Sequence, residues 1–281
     1  MAHPENSGVA QEIRYLKSGS GPPLLLIHGL LGGAFCWRFN IPVFSKQYTT
    51  FSVDLPGSGH NDAPCTLDCS MQAQANRLSA LLNELELESV DVVGSSWGGA
   101  VAIFLAAINP RVRSLVLAAP VNPWSKAGAG RIRFLNSRPG RALLRLALPI
   151  SRPLHLTAIQ RMYGDPARIS PGTLEGYSST VLRRSTAHNV LNTLRQWEQD
   201  INAMQTAISH VKAPSLLIWG TRDGAVTLQS SHALMQALPD CKLALIEGAG
   251  HLPFEETPDE FNQLVLNFLK RTSIASGREP A

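Results

Sequence analysis

The chain has 281 residues, 44% of them hydrophobic, and it carries a net charge of only +4. Four scattered cysteines without a Cys-x2-Cys pair exclude a disulfide scaffold and a cysteine metal site, so we expect reduced thiols. The longest apolar runs are of strand length and exclude a membrane-spanning helix, which needs about 18 to 20 apolar residues.

Six apolar runs predict the strands of a buried parallel sheet. The first, PLLLIHG at residues 23–29, is continuous rather than alternating, as expected for a strand that is covered on both faces. A shorter run before it, at residues 12–17, predicts an additional antiparallel edge strand. The other five continuous runs occupy residues 48–57, 89–96, 112–120, 213–220 and 242–250.

Helical patterns alternate with these strands. They occupy residues 70–87, 97–108, 228–238 and 258–270, with apolar side chains at helical spacing. Strands that alternate with helices predict right-handed crossovers and therefore an α/β fold, with a mostly parallel central sheet flanked by helices.

The alternation stops once, after Pro120, where residues 121–205 contain helical patterns but no strand-like run. We therefore predict a helical cap inserted between two strands, ending in the helix that returns to the core. The core is predicted at residues 9–120 and 206–271, with flexible termini at 1–8 and 272–281. A cap in this position would lie above the carboxyl ends of the strands, where ligands bind in open α/β sheets.

The predicted cap is basic. Residues 121–205 contain twelve basic and four acidic side chains, a net charge of +8, so the rest of the chain carries −4. An anionic substrate or a membrane surface would use this asymmetry, whereas a solvated arginine-rich face would need neither. The apolar cap side chains that could line an acyl pocket are Phe134, Leu135, Leu143, Leu144, Ile159, Met162, Tyr163 and Trp197.

The strongest chemical signal is the segment 94–98, Gly-Ser-Ser-Trp-Gly, which fits G-x-S-x-G between a strand and a helix. Glycines two positions before and after the central serine relieve the crowding of a sharp strand-to-helix turn. The turn then presents Ser96 at the tip of the sheet as a nucleophile. The alternative is an ordinary helix N-cap.

A serine nucleophile needs a base, which is usually a histidine oriented by a carboxylate. His251 follows the last predicted strand, and Asp223 lies three residues past another strand end, so both fall on the side of Ser96. Asp200 and Asp54 compete for the carboxylate role. Asp200 lies in a helical pattern, and a turn role suits Asp54 better, because Asp54 belongs to the turn Asp54-Leu55-Pro56-Gly57.

Two backbone N–H groups are candidates for an oxyanion hole. The N–H of Trp97 opens the helix that follows Ser96, and the N–H of Leu30 lies in the glycine-rich loop after the first long strand. In the same loop, His28 is better interpreted as a buried, hydrogen-bonded anchor than as a catalytic residue.

Five motifs in chain order resemble those of the α/β-hydrolase fold family: HGLLGG, DLPGSGHNDAP, GSSWGGA, WGTRDGAV and GAGHLPFEETPDEF. The resemblance spans about residues 12–269 without the cap. It implies Ser96 as nucleophile, His251 as general base and then acid, Asp223 as its orienting carboxylate, and Leu30 and Trp97 as oxyanion donors. Where some relatives place the acid, this chain has Asn122, which favours Asp223.

The resemblance implies a serine hydrolase that cleaves a carboxylic ester or a related acyl bond. Serine at the elbow argues against haloalkane dehalogenases and epoxide hydrolases, which use aspartate there. Leu252 follows His251, whereas hydrolases of carbon–carbon bonds in meta-cleavage products often have tryptophan at that position. Such a hydrolase, a cofactor-free haloperoxidase or perhydrolase, and a small-ligand receptor on the same fold remain alternatives.

This chemistry requires no metal and no organic cofactor. The expected partner is a small, apolar acyl substrate. We expect no nucleic acid partner, and contact between the basic cap and a membrane is a further hypothesis. The N-terminal residues show no basic segment followed by an apolar run of signal-peptide length, so we expect a cytoplasmic protein.

Overall fold

A computed structural model describes residues 6–10, 13–125, 128–147 and 152–275. The strands are β1 (Asn6–Ala10), β2 (Ile13–Ser18), β3 (Pro23–Ile27), β4 (Thr49–Asp54), β5 (Val90–Ser95), β6 (Val112–Ala118), β7 (Ser215–Gly220) and β8 (Cys241–Ile246). The helices are α1 (Ile41–Phe44), α2 (Met71–Glu84), α3 (Ser96–Ile108), α4 (Ala129–Asn136), α5 (Arg138–Ala147), α6 (Arg152–Met162), α7 (Thr173–Val181), α8 (Arg184–His210), α9 (Gln229–Ala237), α10 (Pro253–Glu256) and α11 (Pro258–Ala275).

The strands form one sheet in the order β1-β2-β4-β3-β5-β6-β7-β8. All neighbours from β4 to β8 are parallel, and β2 is antiparallel to β4. The predicted fold class, a mostly parallel sheet flanked by helices, is therefore confirmed. Parallel strands with both faces covered require the continuous apolar runs that the sequence shows.

The N-terminal edge of the sheet differs from the prediction. The antiparallel strand β2 is not at the edge, because β1 pairs with its outer side from Asn6↔Lys17 to Ala10↔Ile13. Residues 6–8, predicted to belong to a flexible tail, are thus part of a strand. The segment NSGVA has no apolar periodicity, but strand pairing uses backbone groups that every residue other than proline supplies. At the other end, α11 continues to Ala275, and the rest of the predicted tail lies outside the described residues.

Hydrophobic layers cover both faces of the sheet. On one face, α2, α3 and the second half of α8 pack around Leu78, Phe104 and Met204. On the other face, α1, α10 and α11 pack around Phe44, Phe254 and Phe261. The site at the carboxyl ends of the strands is therefore carried by a framework that is fixed from two sides.

Helices α4 to α8 form the insertion between β6 and β7, which we call the helical insertion. Its last helix, α8, has 27 residues and continues directly into the core layer beside α3. Asn189 on α8 donates a hydrogen bond of 2.7 Å to the carbonyl of Pro56 in the core. Among the described helices, none combines the length and the apolar character needed to cross a bilayer.

Candidate active site

Ser96 lies at a sharp turn between β5 and α3, and its backbone has φ of +53°. This left-handed conformation is unfavourable for residues with a side chain and is found where surrounding structure enforces it. The two flanking glycines permit the turn. A Cβ on Gly94 would lie 2.7 Å from the carbonyl oxygen of Gly98, and a Cβ on Gly98 would lie 2.1 Å from that of His28.

The structure brings Ser96, His251 and Asp223 together in one hydrogen-bonded relay. His251 Nε2 is 2.8 Å from Ser96 Oγ, and His251 Nδ1 is 2.8 Å from Asp223 Oδ2. The second carboxylate oxygen of Asp223 accepts hydrogen bonds from the N–H groups of Ala225 and Val226, at 2.8 and 3.0 Å. The carboxylate is fully buried and can only accept, so Nδ1 donates and Nε2 is left to accept the Ser96 proton.

The two competing carboxylates have structural partners elsewhere. Asp54 accepts from the N–H groups of Ala34, at 2.6 Å, and His60, at 2.9 Å, and holds the turn that follows β4. Asp200 accepts from the N–H of Met71 at the first turn of α2, at 3.2 Å. Burial raises the pKa of Asp200 to about 6.

Leu30 and Trp97 border the same cavity as Ser96 and His251. The loop that carries Leu30 is close to the serine, since a Cβ on Gly29 would lie 3.2 Å from Ser96 Cβ. The N–H of Trp97 belongs to the first turn of α3, where backbone donors lack a partner within the helix.

His28 is a buried anchor of this loop. Leu55 N–H donates to His28 Nε2 at 3.1 Å, so the ring's proton is on Nδ1, which is 2.8 Å from the carbonyl of Gly29. Burial lowers the pKa of His28, against the opposing effect of the Asp54 charge, and keeps the imidazole neutral.

The helical insertion supports the loop that carries His251. The N–H of His251 donates to the carbonyl of Met162, at the end of α6, over 2.6 Å. The Glu256 carboxylate accepts from Gly250 N–H at 2.7 Å on one side of the contact, and from Gly164 and Asp165 N–H at 3.0 and 2.9 Å on the other. The position of the histidine therefore depends on the insertion as well as on the core.

A second buried glutamate joins the insertion to the core beside the site. Glu255 is fully buried and pairs with Arg38 at 2.8 Å, while the hydroxyls of Tyr163 and Tyr177 donate to its carboxylate. Burial, followed by the Glu255 charge, raises the pKa of both tyrosines, so both remain donors. Sequence analysis missed both glutamates, because PFEETPDE looks like an ordinary acidic helix start.

A cavity of about 980 Å³ lies between the relay and the helical insertion. Apolar side chains form most of its wall. Two of the eight side chains considered for such a pocket do not line it: Phe134 faces outward with half its surface exposed, and Tyr163 is bonded to Glu255. The other six do line it: Leu135, Leu143, Leu144, Ile159, Met162 and Trp197.

Comparison with known proteins identifies the framework. Residues 22–258 match the family model described as alpha/beta hydrolase fold. A protein from Mycobacterium tuberculosis is 28% identical over 272 residues, which cover 92% of this chain and 78% of that protein.

Two further similarities span almost the whole chain. The 2-hydroxy-6-oxononadienedioate/2-hydroxy-6-oxononatrienedioate hydrolase of Escherichia coli K12 is 25% identical over 277 residues, 95% of this chain and 94% of that enzyme. An alpha/beta hydrolase fold protein from Burkholderia ambifaria superposes with a TM-score of 0.83 at 24% identity, covering 95% and 98% of the two chains. At that identity the superposition supports the fold alone.

Proposed function

The chain belongs to the alpha/beta hydrolase fold family, and we propose that it is a serine hydrolase that cleaves a carboxylic ester or a related acyl bond. The observation that carries the proposal is the Ser96–His251–Asp223 relay, with both hydrogen bonds at 2.8 Å. This arrangement supports Ser96 as nucleophile, His251 as base and Asp223 as orienting carboxylate, the three roles that acyl transfer requires.

The proposed reaction has two steps. His251 Nε2 takes the proton of Ser96 as Oγ attacks the carbonyl carbon, and the resulting imidazolium returns that proton to the leaving oxygen. Water then attacks the acyl-enzyme while His251 takes its proton, and Ser96 leaves with the proton restored. Asp223 keeps the ring in the required tautomer and stabilises its positive charge.

The N–H groups of Leu30 and Trp97 are the proposed oxyanion donors. Their support is that both residues border the cavity beside Ser96, one from the loop after β3 and one from the first turn of α3. Donors fixed before the reaction stabilise the developing negative charge without reorganising, and loss of one costs on the order of 10² to 10³ in kcat.

The cavity favours an apolar acyl group. Leu135, Leu144, Ile159 and Trp197 contribute to a wall whose surface is mostly apolar. The proposed substrate is accordingly a small-molecule ester with an alkyl or aryl acyl chain.

Hydrolysis of a carbon–carbon bond is the second candidate, because the Escherichia coli relative carries that kind of substrate in its name. Leu252 after His251 argues against it. Turnover of a 2-hydroxy-6-oxodienoate at a rate above that of every ester tested would reverse this preference.

The test is hydrolysis of p-nitrophenyl esters of graded acyl length. We expect many turnovers per protein and a decrease in kcat of about 10⁴-fold or more in Ser96→Ala. The matched control is Ser95→Ala, one residue away, whose hydroxyl has no hydrogen-bond partner within the described structure. Release of about one product per protein would instead identify a ligand receptor, and activity that survives Ser96→Ala would refute the assigned nucleophile.

A further inference from the structure

Helices α4 to α6 carry positive charge without any acidic residue. The sequence between Asp91 and Asp165 contains no aspartate or glutamate, so no carboxylate of these helices can neutralise their arginines. The arginines with exposed or half-exposed side chains on the three helices are Arg131, Arg133, Arg138, Arg141, Arg145 and Arg161.

The same helices expose large apolar side chains. Of the nine large hydrophobic residues that are exposed within the described ranges, five lie on α4 to α6. Leu146 is 71% exposed, the highest value among the nine. Exposed apolar side chains gathered in one region mark an interaction site, whereas scattered single leucines do not. Leu143 on α5 and Leu154 on α6 border one cavity, which brings two of the five into the same region. The five residues, which we call the apolar face, are Phe134, Leu143, Leu146, Leu154 and Leu156.

The apolar face is continuous with the cavity above Ser96. Leu143 and Leu154 are more than half exposed to solvent, yet both also line the cavity, as do Arg131 and Arg133. An apolar molecule could therefore pass from the outer surface to the cavity along leucine side chains. The apolar face and the cavity that Ser96 borders are therefore connected.

We propose that the apolar face and its arginines bind the surface of an anionic lipid bilayer. Leucine and phenylalanine side chains enter the acyl boundary, and the arginines contact lipid phosphates through paired hydrogen bonds. Attraction to anionic headgroups adds to the binding for each basic residue near the surface and weakens with salt. A lipid ester would then reach Ser96 without crossing water, and this last point alone rests on the proposed function.

Charge favours a lipid surface over other occupants. In a symmetric dimer the arginines of two copies would face each other without an intervening acid, which costs free energy. A nucleic acid would match the arginines but leave the exposed leucines without an apolar partner. An anionic bilayer, unlike a second copy or a nucleic acid, satisfies both groups at once.

The experiment is co-sedimentation of the inactive Ser96→Ala protein with vesicles. We expect the protein to bind vesicles made of equal parts of phosphatidylcholine and phosphatidylglycerol, and added salt should weaken this binding. Vesicles of phosphatidylcholine alone should bind little protein. Two double variants test the surface: Phe134→Asp with Leu146→Asp, and Arg138→Glu with Arg145→Glu. Each should weaken binding to anionic vesicles by about tenfold or more.

Matched controls carry the same changes on other surfaces. Ile274→Asp with Leu245→Asp alters residues that are 59% and 45% exposed, and Lys212→Glu with Lys270→Glu repeats the double charge reversal. Both controls should bind vesicles like the parent. Binding that is absent in the parent, or lost equally in the controls, would overturn the proposal; so would self-association that only the Phe134 and Leu146 variant abolishes.

A soluble short-chain ester separates this proposal from the proposed function. With Ser96 restored, the surface variants should hydrolyse that ester at the parent rate while losing vesicle binding. Vesicle binding without hydrolysis of any ester would leave the docking surface standing and refute the serine hydrolase assignment. Hydrolysis without vesicle binding would do the reverse.

Discussion

The carboxyl edge of the sheet and the apolar face of α4 to α6 border one cavity, but their side chains are arranged in opposite ways. At the edge, every polar atom of the Asp223 carboxylate is buried and bonded. On the apolar face, Leu146 and Phe134 are exposed, and the helices that carry them contain arginines but no acidic residue. One region holds its polar atoms in fixed, bonded positions, and the other leaves apolar and charged side chains exposed.

This contrast predicts a gradient of mutational cost. Removing one partner of a buried hydrogen bond or ion pair leaves the other without compensation. An exposed side chain contacts water in both the folded and the unfolded state, so its replacement changes the free energy of unfolding little. Four changes test this contrast, in order of decreasing expected effect.

The largest effect is expected for Asp223→Asn. The asparagine oxygen can still accept from Ala225 and Val226, but its amide would donate toward His251 Nδ1 and force the wrong tautomer. We expect kcat to fall by about 10⁴-fold with the fold intact. The measurement is steady-state ester hydrolysis beside circular dichroism, with Asp259→Asn on the surface of α11 as control. A loss below tenfold would remove Asp223 from the relay.

The next effect concerns stability. Glu255→Ala leaves Arg38 without its carboxylate and two tyrosine hydroxyls without an acceptor. Breaking a buried ion pair from one side typically lowers the free energy of unfolding by about 3 to 5 kcal/mol. Urea denaturation of Glu255→Ala measures this loss of unfolding free energy, with the exposed Glu260→Ala as control. Equal midpoints for the two variants would contradict the ion pair's structural role.

A smaller effect depends on pH. Burial raises the pKa of Asp200 to about 6, above the value of about 3.9 for an unfolded chain. The folded state retains a proton that the unfolded state releases, so Asp200 lowers the free energy of unfolding as pH rises from about 4 to 6, by at most ~1.4 kcal/mol per pH unit.

Asp200→Asn should remove this dependence, because an asparagine oxygen can still accept from Met71 but does not titrate. The difference in unfolding free energy between variant and parent should grow in favour of the variant across that window and stay constant above it. Urea titrations at several pH values measure the difference. Parallel profiles would refute the raised pKa.

The smallest effect belongs to the apolar face. Leu146→Ser should change the free energy of unfolding by no more than about 0.5 kcal/mol, because most of the side chain is already in water. The buried Leu217→Ala in β7 is the contrast and should cost about 2 to 5 kcal/mol. If Leu146→Ser were as costly as Leu217→Ala, α5 would be packed against the protein rather than exposed.

The relay was accessible from sequence because its signals are local. Gly94 and Gly98 mark the turn that only glycines permit, and Asp223 and His251 each follow a continuous apolar run. Carboxyl ends of parallel strands meet at one edge, so the positions of these residues just past strand ends suggested that they approach one another. The parallel strands and the helices between them were predictable for the same reason.

The features that could not be predicted depend on contacts between residues that are far apart in the sequence. Arg38 and Glu255 are 217 positions apart, and no spacing rule connects them. β1 is held through backbone pairing, which leaves no periodic pattern in NSGVA. Helical spacing did not distinguish Phe134, which faces solvent, from Leu135, which lines the cavity, because orientation follows from how α4 packs.

The hydrogen bonds to Glu256 limit how the helical insertion can be exchanged between related proteins. Gly250 on the core and Gly164 and Asp165 on the insertion share this one carboxylate, and the N–H of His251 uses the carbonyl of Met162. A chimera that received a foreign segment for residues 121–205 would keep every core residue and still lose these contacts. Grafting a new specificity onto this scaffold therefore requires that the donor segment reproduce the short stretch from 162 to 165, or that this stretch be retained from the host.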